Sequence, residues 1–106
     1  MRTMQRSGVD KLQTALMTAF QNGEPDLSLR QLAILMSISK HGQISIGELS
    51  AQLHIPKPAV TRAVDRLEQL DLCKREFSAC DRRKVLAVSK RNAHILLDTW
   101  EERLSC

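Results

Sequence analysis

The stretch from Pro56 to Val88, PKPAVTRAVDRLEQLDLCKREFSACDRRKVLAV, constrains the fold more than any other part of the chain. Val60, Val64, Leu67 and Leu70 recur at steps of four, three and three, the period of a helix with one apolar face. The helix is expected to begin near Lys57, with Pro58 in the first turn, where its missing N–H costs nothing. Leu72 to Phe77 and Lys84 to Val88 are short segments suited to strands, and the residues between them, Ser-Ala-Cys-Asp-Arg-Arg, make a polar tip.

The remaining elements follow from the same periodicities. Residues 1–8 are expected to form a frayed arm. Val9, Leu12, Ala15, Leu16, Ala19 and Phe20 mark an amphipathic helix over 9–22 that Asn22-Gly23 and Pro25 end. Ser28 is an N-cap for a second helix carrying Leu29, Leu32, Ala33, Leu35, Met36 and Ile38. That helix is apolar on more than one face and is expected at the centre, ending at His41-Gly42. Ile44-Ser45-Ile46 suits a small strand pairing with the later hairpin. Ser45 or Gly47 precedes a brief helix with Ile46, Leu49 and Leu53 on one side, and His54-Ile55-Pro56 is the turn after it. A last helix over 89–104 carries Ala93, Leu96, Leu97, Trp100 and Leu104. The order is α-α-β-α-α-β-β-α.

A chain of 106 residues has room for one core, so one domain is expected over 1–106. With 3% aromatic residues that core must be aliphatic. No apolar run approaches 18 residues, and the basic N-terminus has no apolar segment behind it, so neither a spanning helix nor a secretory signal is expected. No membrane partner is expected, and a cytoplasmic location is. The net charge is +4, and its placement says more than its size. From Lys57 to Arg91 there are ten Lys/Arg against five Asp/Glu, a net of +5. The rest of the chain holds six against seven, a net of −1. A basic excess confined to one helix and one hairpin is the footprint of a polyanion site. The bland alternative is a solvated basic face.

Helix, turn, helix, strand, polar tip and strand describe a winged helix-turn-helix, so the fold class is mainly α with a small β hairpin. One helix is shaped for a major groove, and the tip can reach a minor groove. On the helix from Lys57, the residues Val60, Val64 and Leu67 go inward, leaving Lys57, Ala59, Thr61, Arg62, Asp65 and Arg66 outward. Lys57 and Arg62 can donate to phosphates or to guanine, and Ala59 and the Thr61 methyl can touch a thymine methyl. Asp65 is read as orienting Arg62 or Arg66, since its charge repels phosphate. At the tip stand Asp81, Arg82, Arg83 and Lys84. In an extended chain Asp81 and Arg83 share a side, so Asp81 can hold the guanidinium in a bidentate fork aimed at a minor groove. The plain alternative is an exposed ion pair worth little.

The run VTRAVDRLEQLDL, a following Arg, and DRRKVLAVS resemble the signature of the MarR (multiple antibiotic resistance regulator) family of winged-helix transcription factors, from about Leu27 to Ala93. The resemblance implies that the helix from Lys57 lies in the major groove with Thr61, Arg62 and Arg66 near DNA. It also implies that Asp81 and Arg83 pair at the wing tip and that Arg75 lies near the DNA backbone. Such regulators usually repress transcription as homodimers on a pseudo-palindrome, often released by small phenolic ligands or oxidants. The chain departs from the pattern in three places. Asp71 stands where the family often has Gly after the recognition helix. Val88-Ser89-Lys90-Arg91-Asn92 replaces leucine-threonine-x-x-glycine, with Asn92 or Ala93 at the Gly position. Only one C-terminal helix, 89–104, is present to build a dimer with helix 9–22, so the dimer is expected to be smaller, differently built, or absent. Leu16, Phe20, Leu97, Trp100 and Leu104 are its candidate interface; the alternative is that they close the monomer's own core.

Cysteines 73, 80 and 106 form neither a disulfide framework nor a zinc spacing. Cys80, flanked by Arg82, Arg83 and Lys84, is a candidate redox thiol, with an incidental surface thiol as the alternative. Cys73 reads as a strand residue, and Cys106 has no role. His41, His54 and His94 are too scattered for a metal site and read as surface or capping residues. No nucleophile–base pair, paired carboxylates or phosphate loop is visible, so neither an enzyme nor a cofactor is expected. The sequence thus points to a regulator of transcription that binds double-stranded DNA as a homodimer, with repression favoured and any small-molecule effector unidentified. Two readings from other classes stand beside it: a protein-interaction module that antagonises or adapts another regulator, and a sensor whose output is Cys80 chemistry.

Overall fold

The computed structural model describes residues 6–105. Most of the expected N-terminal arm, and Cys106, lie outside the described residues. Among the described residues, five helices and three strands follow in the expected order: α1 (Ser7–Gln21), α2 (Leu29–His41), β1 (Gln43–Ser45), α3 (Ile46–Leu53), α4 (Lys57–Gln69), β2 (Cys73–Phe77), β3 (Val85–Ser89) and α5 (Arg91–Ser105). Among the described residues, no helix is long and apolar enough to cross a membrane. The described residues group into two compact units, one of residues 6–26 with 96–105 and one of residues 27–95.

The larger unit is built around α2 and α4. Ser28 starts α2 with a full capping box. Its hydroxyl accepts from the Gln31 N–H at 3.1 Å, and the Gln31 side chain accepts from the Ser28 N–H at 2.9 Å. Ile34, Leu35 and Ile38 of α2 and Val60, Val64 and Leu67 of α4 are wholly buried. The core is therefore aliphatic, as the shortage of aromatic residues requires. Ser45 caps α3 by accepting from the Glu48 N–H. His54 ends α3 in the left-handed conformation, and Pro56 and Pro58 set the entry to α4.

The sheet is antiparallel in the order β1-β3-β2. Ile44 faces Ala87 and Arg75 faces Ala87 from the other side, so β3 is the central strand. The last helix begins at Arg91 rather than Ser89 because Ser89 pairs with Cys73 and still belongs to the ladder. Between α4 and β2, Asp71 adopts φ 61°. Its carboxylate accepts from Asn92 Nδ2 at 2.8 Å and from Lys90 Nζ. Two of the segments that depart from the expected pattern thus meet: Asp71 holds Lys90 and Asn92 of the 88–92 run.

In the smaller unit, Ala15 and Ala19 of α1 are buried. Glu24 accepts two hydrogen bonds from the Arg103 guanidinium, one of them 3.0 Å long. The same guanidinium lies 5.5 Å from the centre of the Trp100 ring. Leu16 and Phe20 are exposed, at 37% and 62%, as is Leu104; Leu97 and Trp100 are half-buried.

Candidate nucleic-acid interface

The outward face of α4 follows from its period. Lys57, Thr61, Arg62, Asp65 and Arg66 are all exposed. Ala59 is the exception: expected outward, it is buried at 7% exposure. Counting from Val60 alone makes the apolar stripe too narrow. Ala59, Ala63 and Leu67 form a second row at steps of four, beside Val60, Val64 and Leu67, and both rows are buried. Ala59 therefore leaves the set of outward-facing candidates.

The expected partner of Asp65 is Arg62 or Arg66; the structure gives it Arg75 instead. Arg75, which the resemblance implies lies near the DNA backbone, reaches from β2 onto α4 and gathers three acceptors there. Its Nη1 donates to Glu68 at 2.8 Å, and its Nη2 donates to the Thr61 carbonyl at 3.1 Å and to Asp65. Its planar fork suits two acceptors, so it takes both carboxylates, while Arg62 and Arg66 stay exposed on the helix. One guanidinium from the wing strand thereby engages both carboxylates of the outward face and offsets one of their two negative charges. Glu68, which holds the other prong, gave no sign of this in the sequence because its partner lies seven positions away across a turn.

At the wing tip, Asp81 and Arg83 do pair, but not as a bidentate fork. One Asp81 oxygen accepts from the Arg83 backbone N–H at 3.0 Å and from Nε at 3.4 Å. The Lys84 N–H donates to the Asp81 carbonyl at 2.9 Å, closing a tight turn. The chain curls here instead of extending, so the carboxylate serves the backbone first. The Arg83 side chain is left 93% exposed. Arg82 and Lys84 are exposed as well.

These pieces meet in one concavity of about 430 Å³ within the larger unit. Ser45, Ile46 and Gly47 at the start of α3 form one wall, Lys57 and Thr61 of α4 the second, and Arg75, Arg83, Lys84 and Val85 of the wing the third. Four of the nine lining residues are cationic and none is acidic. The Lys57 side chain lies over Gly47, whose absent Cβ would stand 3.8 Å from the lysine Cε. The α3 wall was not legible in the sequence, since its residues carry no charge and belong to the site only through the fold.

The thiols behave differently. Cys73 is buried, its Sγ 3.9 Å from the Val64 carbonyl. Burial, and then the nearby Glu68 carboxylate, push that thiol up to about 11, which leaves it protonated and inert. Cys80 is exposed on the tip, where its N–H donates to the Ser78 hydroxyl. The three histidines are exposed. His41 bonds the Ser37 carbonyl in the last turn of α2, His54 ends α3, and His94 lies between the Ser39 and Ser89 hydroxyls.

Comparison with known proteins agrees with this architecture. The profile of the MarR family matches residues 27–85. The HTH-type transcriptional repressor MdtR of Bacillus subtilis is 31% identical over a region that covers 70% of this chain and 54% of MdtR. The chain spans about half the length of the curated relatives it matches. Among solved structures, the transcriptional regulator Tm0710 of Thermotoga maritima superposes with a TM-score of 0.75 at 27% identity, over 93% of this chain and 65% of that one. A mutant of MarR from E. coli complexed with operator DNA gives a TM-score of 0.70 at 25% identity, over 74% of this chain and 56% of that one. With the profile running from the start of α2 through the wing tip and the same winged helix in these relatives, the chain belongs to the MarR family.

Proposed function

We propose that this chain binds double-stranded DNA sequence-specifically and regulates transcription, as a repressor, by occupying a pseudo-palindromic operator as a homodimer. The observation that carries this reading is the cleft between α4 and the wing, lined by Lys57, Arg75, Arg83 and Lys84 with no carboxylate among its lining residues. Such a surface suits a phosphate backbone passing between the two elements, with α4 in the major groove and the tip over the minor groove. Lys57, Thr61, Arg62 and Arg66 then face the groove floor or its edges, and Arg82, Arg83 and Lys84 the flanking backbone. The operator complex of the E. coli relative and the name of the Bacillus subtilis repressor support the same reading.

The homodimer draws support from the apolar residues that the smaller unit leaves exposed, Val9, Leu12, Leu16, Met17, Phe20 and Leu104. A two-fold axis would set two copies of α4 about one DNA turn apart, roughly 34 Å.

Selection from a random duplex library by the full chain tests both parts. An enriched inverted repeat with half-sites one turn apart is the expected result. A single unrepeated half-site would remove the dimer, and no enrichment would remove sequence-specific binding. Arg62→Ala separates the roles of that residue. Relaxed preference at one position marks a base contact, whereas uniform weakening with a salt slope lower by about one unit marks a phosphate contact.

A further inference from the structure

We propose that Phe77 is a DNA-contacting residue, an aromatic on the inner face of the wing that packs against the deoxyribose wall of the minor groove; this rests on the DNA-binding reading above. The sheet register carries the argument. Phe77 stands opposite Val85 and Arg75 opposite Ala87, and directly opposed residues share a face of the sheet. Cys73, Arg75 and Phe77 therefore lie in one row. Toward its base that face is closed by α4, where Cys73 meets the Val64 carbonyl and Arg75 the Thr61 carbonyl. Toward the tip the face runs out beyond the helix. Val85 there lines the cationic cleft, and Phe77 beside it is 70% exposed.

The other face of the same strand is different. It carries Lys74 and Glu76, which pair with each other at 2.9 Å. The inner face thus offers an uncovered ring with exposed cations beside it, and the outer face a neutralised pair. A ring left mostly in water adds little to the core of this chain. Its surroundings select the occupant. Arg83, 93% exposed, and Lys84 draw a polyanion to the tip, and the apolar part of a nucleic-acid backbone is its sugar. Apolar side chains are known to enter the minor groove, whose walls are these sugars. The cations hold the phosphates, and Phe77 fills the space between them against deoxyribose C–H groups.

Two measurements on the full chain test this, both with the duplex enriched from the random library. In a salt-series anisotropy titration, Phe77→Ala should weaken binding by roughly tenfold, since part of a phenyl contact is lost. The slope of log affinity against log salt should stay at its wild-type value, because an apolar contact releases no counterions. Arg83→Ala should instead lower the slope by about one unit. In the second measurement, p-benzoylphenylalanine replaces Phe77 and inserts into nearby C–H bonds under ultraviolet light. A covalent adduct with the duplex is expected from position 77 and none from position 29, where Leu29 is 88% exposed outside the cleft. Wild-type affinity for Phe77→Ala, a slope that falls as it does for a lost cation, or no adduct from position 77 while the duplex is bound would each overturn the proposal. Failure of the wild-type chain itself to bind any duplex at low salt would remove the DNA-binding reading, a result separate from a silent Phe77.

Discussion

Arg75 shows how one side chain changes the meaning of its neighbours. Asp65 and Glu68 lie on the exposed face of α4, where free carboxylates would repel phosphate, and Arg75 engages both. Its substitution by Ala should cost only about 1 kcal/mol of stability, since these pairs are partly solvated. The larger effect should be on DNA affinity, through two uncovered negative charges. Adding Asp65→Asn and Glu68→Gln to Arg75→Ala should then restore much of the lost affinity. If the triple variant binds no better than Arg75→Ala alone, Arg75 touches phosphate itself. Glu24 gives a second test at this scale. The hydrogen bond from Arg103 holds its carboxyl below the ordinary value of 4.5, against the opposing effect of burial. A carboxyl lowered in the folded state contributes stability above its unfolded value and loses it as pH falls through the folded one. The chain should therefore lose stability on acidification below 4.5, and Glu24→Gln should lose less over the same window, as followed by urea denaturation.

Asp71 couples two elements, the end of α4 and the start of α5. A non-glycine residue at φ 61° is strained, yet its carboxylate holds Lys90 and Asn92. Asp71→Ala keeps the strain and loses both partners, so it should destabilise by about 1–3 kcal/mol. Asp71→Gly loses the partners but relaxes the backbone and should fall between the two. Equal stability of the Ala and Gly variants would show that the strained backbone contributes nothing. The elements themselves were largely legible, because each rests on a local pattern: the Val60–Val64–Leu67 period, the Ser28–Gln31 capping box, the short strands around a polar tip. What escaped the sequence depends on partners far along the chain. The Ala59 row is buried by its neighbours, the Arg75 clamp spans ten positions to Asp65, and the Asp71 bridge spans twenty-one to Asn92. The wing tip differs for another reason: the i, i+2 spacing implies an extended chain, and Asp81 folds a turn there.

Across the whole molecule, charge and apolar surface are separated along the sequence. The basic excess falls between Lys57 and Arg91, and exposed apolar residues crowd α1. If α1 and α5 pair two copies, Phe20→Glu should convert a dimer to a monomer in sedimentation velocity and weaken binding to a full inverted repeat far more than to a half-site. A wild-type sedimentation profile for that variant would return Phe20 to the monomer's own surface.

The most direct test is an anisotropy titration of the full chain against its enriched duplex and a scrambled duplex of equal length, across a salt series. A sequence-specific surface made by α4 and the wing predicts a preference on the order of 10³-fold or more, with affinity falling steeply as salt rises. Equal, weak and salt-sensitive binding to both duplexes would contradict sequence-specific recognition. No binding even at low salt would contradict DNA binding altogether and leave the basic cleft to a protein partner.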